Sequence, residues 1–370
     1  PAKKSVIPFR PLQKRTIAEA PPPDNWRYEA FQWYIGVCAF IIGACVGSFL
    51  NVVIYRLPLG MGLLRADSHC PVCKMPIALK DNVPIFGWLN LRVRCRECAV
   101  RISPRYMLVE LGTALMFFVL AVTELLSGGG NLPGHVAIDD GVSPLAALSA
   151  DLIGLYFTHC FFVSALLCCA LITVDGHDLP RTLVLPTLLV GLFSPYRAAT
   201  TLPWPAPWPA PEFTPAVVGL VVGALLGGVL GFGERDHRTG NRRHRSLTIV
   251  LAAIGCYLGW EAAFFIAGVT AAAMAIAAML VDYAPAALRI PAVAYAAIAA
   301  FVQIPLWNKL TAATWYPRSG FGLWPLAAGL FVFFLISQLI RLIRNRDADR
   351  DAPQAVLPPL CGYRGTHHPF

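Results

Sequence analysis

The chain has 370 residues, of which 56% are hydrophobic and 14% charged, with a formal net charge of +9. Average soluble chains carry about 25% charged residues, so this composition excludes an ordinary soluble domain and calls for a bilayer. It also argues against nucleic acid as a partner, because the basic residues fall in short clusters between apolar runs, the pattern of loops beside membrane spans.

Taken in chain order, residues 1–32 are basic and rich in proline (Pro21, Pro22, Pro23) and lack the continuous apolar core of a signal peptide, which predicts a flexible arm. A first span is expected over 33–56, followed by a polar insert over 57–105. Runs of about 20 apolar residues, the length that crosses a hydrocarbon core, then recur. They lie near 106–126, 150–174, 181–197, 214–232, 247–260, 262–282, 289–307 and 320–342. The expectation is an all-α polytopic protein of about nine transmembrane helices, with a tail over 343–370. The spans at 181–197 and 247–260 are short and contain Pro186 and Gly255, which predicts tilted or broken helices buried against neighbours. Basic residues concentrate in the insert (Arg92, Arg94, Arg96, Arg101), in the loop 233–246 (Arg235, Arg238, Arg242, Arg243) and at the end (Arg341, Arg344), so these three segments are assigned to the cytoplasm. The arm, with Lys3, Lys4, Lys14 and Arg15, then falls on the opposite side, against the same rule.

The insert carries two C-x-x-C knuckles, Cys70/Cys73 and Cys95/Cys98. Two-residue spacing lets both thiolates of a knuckle face one ion, and four sulfurs complete the tetrahedral shell of a structural Zn²⁺ site. A disulfide framework is the alternative, disfavoured by the cytoplasmic character of the flanking Lys74, Arg92, Arg94 and Arg96. The cysteines inside apolar spans, such as Cys160, Cys168 and Cys256, read as small hydrophobes. His159 reads as a hydrogen-bonded interhelical side chain, and His237 and His244 as members of a basic loop.

Several ordered motifs around the insert carry a resemblance: Gly47-Ser48-Phe49-Leu50-Asn51 running on to Arg56-Leu57-Pro58, then Cys70-Pro71-Val72-Cys73, Asp81-Asn82-Val83-Pro84, Cys95-Arg96-Glu97-Cys98, and Ser103-Pro104-Arg105-Tyr106 with Val109-Glu110-Leu111. This stretch resembles the amino-terminal part of the prepilin peptidases, also called type IV leader peptidases and N-methyltransferases. The resemblance implies an eight-span core, here 33–56 and 106–307, with 308–342 as an additional carboxy-terminal segment, in a bacterial inner membrane. It also implies cleavage of a basic leader from pilin and pseudopilin precursors, followed by methylation of the new amino terminus with S-adenosylmethionine. Cleavage in this family uses two membrane-border aspartates, one ionised and one protonated, holding a water.

Neither aspartate stands at its family position. The first precedes by seven residues a Pro that matches Pro180, which leads to Thr173; the second, in a G-x-G-D motif, precedes by thirteen residues a Trp that matches Trp260, which leads to Leu247. The acids nearest these borders are Asp175, Asp178, Glu234 and Asp236, with Gly231-Phe232-Gly233-Glu234 the closest imitation of the second motif. The expectation is a proteolytically inactive homologue that binds or assembles a pilin-like or other membrane partner, as a subunit of a larger complex. The alternative is an active peptidase and methyltransferase with relocated acids.

Overall fold

A computed structural model describes residues 25–63, 69–70, 72–133, 150–194, 214–231, 244–280, 290–313 and 316. Its helices are α1 (Asn25–Arg56), the short α2 (Phe86–Asn90), α3 (Pro104–Leu120), α4 (Ala150–Val174), α5 (Arg181–Phe193), α6 (Thr214–Gly231), α7 (His244–Leu280) and α8 (Ala292–Ala312). The protein is all-helical; among the described residues, extended pairing is confined to two isolated bridges in the cysteine insert.

The starts and stops follow local chemistry. The Ser103 hydroxyl accepts the Arg105 N–H at 3.3 Å and Pro104 opens α3, a cap and first-turn proline that satisfy or remove the free N–H groups of a helix start. At its far end α3 loosens into a π-helical turn over Ala121–Leu126. Such turns add a residue to the helical repeat and redirect the side chains that follow.

Six helices among the described residues are long and apolar enough to cross a membrane: Glu29–Arg56, Pro104–Leu126, Ala150–Val174, Thr214–Gly231, Arg245–Ala277 and Ala292–Ala312. The expected count of nine is therefore not reproduced. At 13 residues α5 is about 20 Å long, short of a hydrocarbon core of about 30 Å, and it contains Pro186. The two spans expected at 247–260 and 262–282 follow one another along α7 as two helices that meet in a kink at Gly259, whose φ of 87° and ψ of 169° are non-helical and lie where side-chain-bearing residues are strained. The span expected at 320–342 lies outside the described residues. Helix α1 begins at Asn25, so the last part of the segment 1–32 is helical.

Helices α4 and α7 are the most enclosed, and Phe162 of α4 stacks on Tyr257 of α7 with ring centroids 4.1 Å apart. Lipid tails are as apolar as leucine, so helices in a bilayer associate through close packing rather than water exclusion. Two glycine seams supply that packing. Along α6, Gly219, Gly223 and Gly227 recur every fourth residue; a methyl group at Gly219 or Gly223 would lie 1.9 or 2.0 Å from the carbonyl oxygens of Gly255 and Leu251 in α7. In α1, Gly43 and Gly47 meet α3 in the same way, with 2.8 and 2.7 Å from such a methyl to the Cα atoms of Ala114 and Glu110. Both contacts run antiparallel.

Candidate functional site

The four insert cysteines converge. Their sulfurs all lie within 4.8 Å of one another, with Cys70–Cys98 at 3.8 Å and Cys73–Cys95 at 4.0 Å. A tetrahedral zinc with bonds of about 2.3 Å separates its sulfurs by roughly 3.8 Å, so the donor set and its spacing fit a structural zinc centre. Backbone geometry repeats in the two halves. In each, the N–H of the residue after the second cysteine (Lys74, Ala99) bonds the carbonyl of the first, while the N–H of the first cysteine bonds the carbonyl five residues on (Met75, Val100). Lys74 and Ala99 both take left-handed φ, 60° and 54°, which tightens the turn around the sulfurs. Burial pushes the Cys70 thiol up, yet the backbone N–H groups of Cys73 and Val72 and the neighbouring thiols outweigh it and bring Cys70 down to about 7. For Cys73 the backbone N–H of Met75 pulls down, but burial and the sulfurs of Cys70, Cys98 and Cys95 together push it up to about 11.

The insert is fastened to the ends of its two spans. The Ile85 N–H donates to Glu110 Oε2 at 2.7 Å, and the Ser48 hydroxyl reaches the same carboxylate. Trp88 Nε1 donates to the Ile102 carbonyl at 3.3 Å, Asn51 Nδ2 to the Tyr106 carbonyl at 3.1 Å, and Arg96 clasps Asp81 through two bonds of 2.5 and 2.7 Å. These contacts join the motifs that carry the family resemblance into one unit at one end of the bundle.

At that end Thr173 is buried and its hydroxyl bonds the carbonyls of Cys169 and Ala170 at 2.9 and 2.8 Å, within its own helix. Leu247 is fully buried, its carbonyl facing Gly227 across the α6–α7 seam. Of the four candidate substitute acids, Asp175 is gripped by both terminal nitrogens of Arg105 at 2.5 and 2.7 Å, and Asp178 is exposed, as is His177. Glu234 and Asp236 lie outside the described residues, as does His237.

A second polar cluster was not legible in full. Glu124, in the π-turn of α3 and fully buried, accepts from His159 Nδ1 of α4 at 2.6 Å; His159 therefore is an interhelical hydrogen-bonding side chain, as its context predicts. Asn131 Nδ2 lies 3.5 Å from Glu124 Oε1 and donates to the Ile304 carbonyl of α8 at 3.0 Å, while the Asn131 carbonyl accepts the Asn308 N–H at 2.7 Å. Pro305 interrupts α8 within this turn. An acid deep within an apolar span is the signal that points to such a site, and Glu124 carries it.

The comparisons with known proteins agree with this geometry. Residues 41–124 match the family described as the bacterial Peptidase A24 N-terminal domain. A prepilin leader peptidase/N-methyltransferase of Aeromonas hydrophila is 29% identical over 312 residues, covering 77% of this chain and 94% of its own length. The chain is similar to the prepilin leader peptidases, over its amino-terminal part most of all. A family member of the same name from Myxococcus xanthus is 55% identical over 82 residues, 22% of this chain and 24% of its own length. One from Klebsiella pneumoniae is 41% identical over 127 residues, 33% and 54%. Against these last two the chain spans only about a quarter to a half of the relative, and the higher identity lies in the shorter matches. No solved structure matches it.

Proposed function

We propose that the chain is a membrane-embedded prepilin-peptidase homologue without a proteolytic dyad, acting as a binding or assembly subunit for a pilin-like or other transmembrane-helix partner. The observation that carries this reading is the chemistry at Thr173 and Leu247, two buried side chains that cannot take a proton from water at neutral pH. A positioned acid or base contributes about 10² to 10⁴-fold in rate, so the loss of both removes proteolysis. Asp175 is a poor replacement, since a carboxylate engaged by both arms of a guanidinium has its lone pairs committed.

Within this reading the insert at 57–105 is a zinc-held cap on the core at 106–307, residues 308–342 add a further segment, and the cap and the tail at 343–370 face the cytoplasm of a bacterial inner membrane. The retained cap and spans support a second reading in which S-adenosylmethionine-dependent methyl transfer persists without cleavage, or cleavage persists through Glu234 or Asp236. One experiment separates them: the purified protein is incubated with a prepilin precursor and, in parallel, with the pre-cleaved pilin and labelled S-adenosylmethionine. The expected outcome is no leader release. Release abolished by Asp175→Asn or Glu234→Gln overturns the inactive reading, and label on the pre-cleaved pilin establishes methyl transfer alone.

A further inference from the structure

The insert does not present the polar surface expected of a cap standing in water. From Lys74 to Lys80 every residue is exposed, and the five between the lysines are apolar: Met75, Pro76, Ile77, Ala78 and Leu79. Leu79 is 89% exposed, and beyond the following turn Phe86 is 60% and Leu89 50% exposed. Such a run of bare apolar side chains marks a surface that meets something other than water.

Its depth identifies the class of partner. The amide of Ile85 is bonded to the carboxylate of Glu110, six residues inside the span that opens at Pro104. At about 1.5 Å per residue the Glu110 backbone lies some 9 Å along the helix axis from the start of the span, and its side chain leans back toward that start. Phe86, the next residue, is therefore held beside the first turns of the span rather than beyond its end. The turn Leu79–Asp81 shares this level, because a methyl on Gly87 would sit 2.1 Å from the Asp81 carbonyl oxygen, so turn and α2 are in backbone contact. Charge completes the pattern. Lys74 and Lys80 are exposed at the two ends of the run, whereas Asp81 is engaged by Arg96. Long lysine stems lie along apolar surface and deliver their ammonium groups to the headgroup layer, and each basic group there favours anionic lipid.

We propose that the Lys74–Lys80 run, with Phe86 and Leu89, is a lipid-docking face that seats the cysteine insert in the interfacial layer and prefers anionic phospholipid. It stands whether or not the chain retains catalysis. Docking of this kind fixes the height of the insert against the bilayer, and with it the distance from the membrane at which a partner's leader segment is met.

The test uses the full chain in nanodiscs with the photo-cross-linker p-benzoylphenylalanine in place of Leu79, and in a control sample in place of Leu225, a 66% exposed residue of α6. Irradiation followed by intact-mass measurement is expected to give phospholipid adducts at both positions. At position 79 alone the yield should rise several-fold when phosphatidylglycerol is mixed into phosphatidylcholine, and fall again in a Lys74→Ser, Lys80→Ser variant. Zinc content, measured on each variant, reports that the insert is intact. Position 79 giving no phospholipid adduct, or cross-linking to protein, while position 225 reacts with lipid overturns the proposal. So does a yield at position 79 indifferent to both phosphatidylglycerol and the lysines.

Discussion

Val93 is β-branched and has a φ of 69°, beside Arg92 at 48°, in the turn that leads into the second knuckle. A left-handed backbone at a β-branched residue costs on the order of 1–3 kcal/mol and persists only where its surroundings impose it. Here the Ile102 N–H bonds the Val93 carbonyl at 2.8 Å and holds the turn. Val93→Gly should relieve the strain and, after the entropy glycine adds to the unfolded chain, leave a gain of about 1 kcal/mol. Slower zinc loss to a chelator would show it; faster loss would mean the valine side chain makes contacts worth more than the strain. The Glu124–His159 pair supplies the opposite case. Leaving a buried polar group without its hydrogen-bond partner costs about 1–3 kcal/mol, so His159→Ala should lower thermal stability in detergent, and Glu124→Gln with His159→Gln together should cost less than the sum of the single changes. Outside the membrane, Arg96 bonding to Asp81 holds that carboxyl below the usual carboxylate range, against the opposing effect of burial. A lowered folded pKa means stability that is complete above the unfolded Asp value of about 4 and lost as pH falls through the folded one. Amide protection in the insert, taken relative to the intrinsic exchange rate at each pH, should therefore fall in acid in the wild type and already be reduced at neutral pH in Arg96→Ala.

At the scale of elements, the α6–α7 seam decides whether the bundle closes. Its glycines put backbone against backbone, so Gly223→Val has no small adjustment open to it: the new side chain meets the Leu251 carbonyl, which cannot move without moving a helix. Overpacking a tight contact costs typically 1–3 kcal/mol and more where backbone is struck, and a large loss of folded protein in detergent is expected. Gly112→Ala is the control. Nothing lies within 4 Å of a methyl group there, in the interior of α3, and the change should stabilise by about 0.5–1 kcal/mol through helix propensity alone. Equal effects of the two substitutions would refute the seam as a close-packed contact. The insert behaves as an element in its own right, and Cys98→Ser should reduce the metal from about one zinc per chain to far below that, because a closed site tolerates no missing ligand.

For the whole molecule, the matched region at one end of the bundle stands apart from the remainder, where the likeness is weaker. The matched region at 41–124 joins α1, the cysteine insert and α3 through Glu110, Trp88 and Asn51, so a reader of motifs meets there a structure that its residues announce. Past it the family signals thin, and Thr173 and Leu247 are the positions that motif spacing assigns to the family's acids. A Thr173→Asp, Leu247→Asp variant would test how far the scaffold still serves proteolysis. Leu247 sits at full burial beside the glycine seam, so the second aspartate should destabilise the protein, and no leader release is expected even from the fraction that folds.

Read alone, the residues determined that this is a helical membrane protein with a four-sulfur knuckle pair, because composition sets the solvent and C-x-x-C spacing sets which sulfurs can share an ion. They also located His159 as a hydrogen-bonding residue inside the bundle. Only the tertiary structure decided the rest. The partner of His159 lies 35 residues away in a π-turn, the glycines of α6 find their match in a helix that reverses direction, and Asp175 is claimed by Arg105 from 70 residues upstream. Spacing along a chain dictates which side chains share a face, whereas the pairing of faces depends on how helices cross, and that information is spread over every contact in the bundle. Hydropathy measures an apolar run, but the proline in α5 and the kink at Gly259 set how each run is disposed, and these act through local backbone geometry.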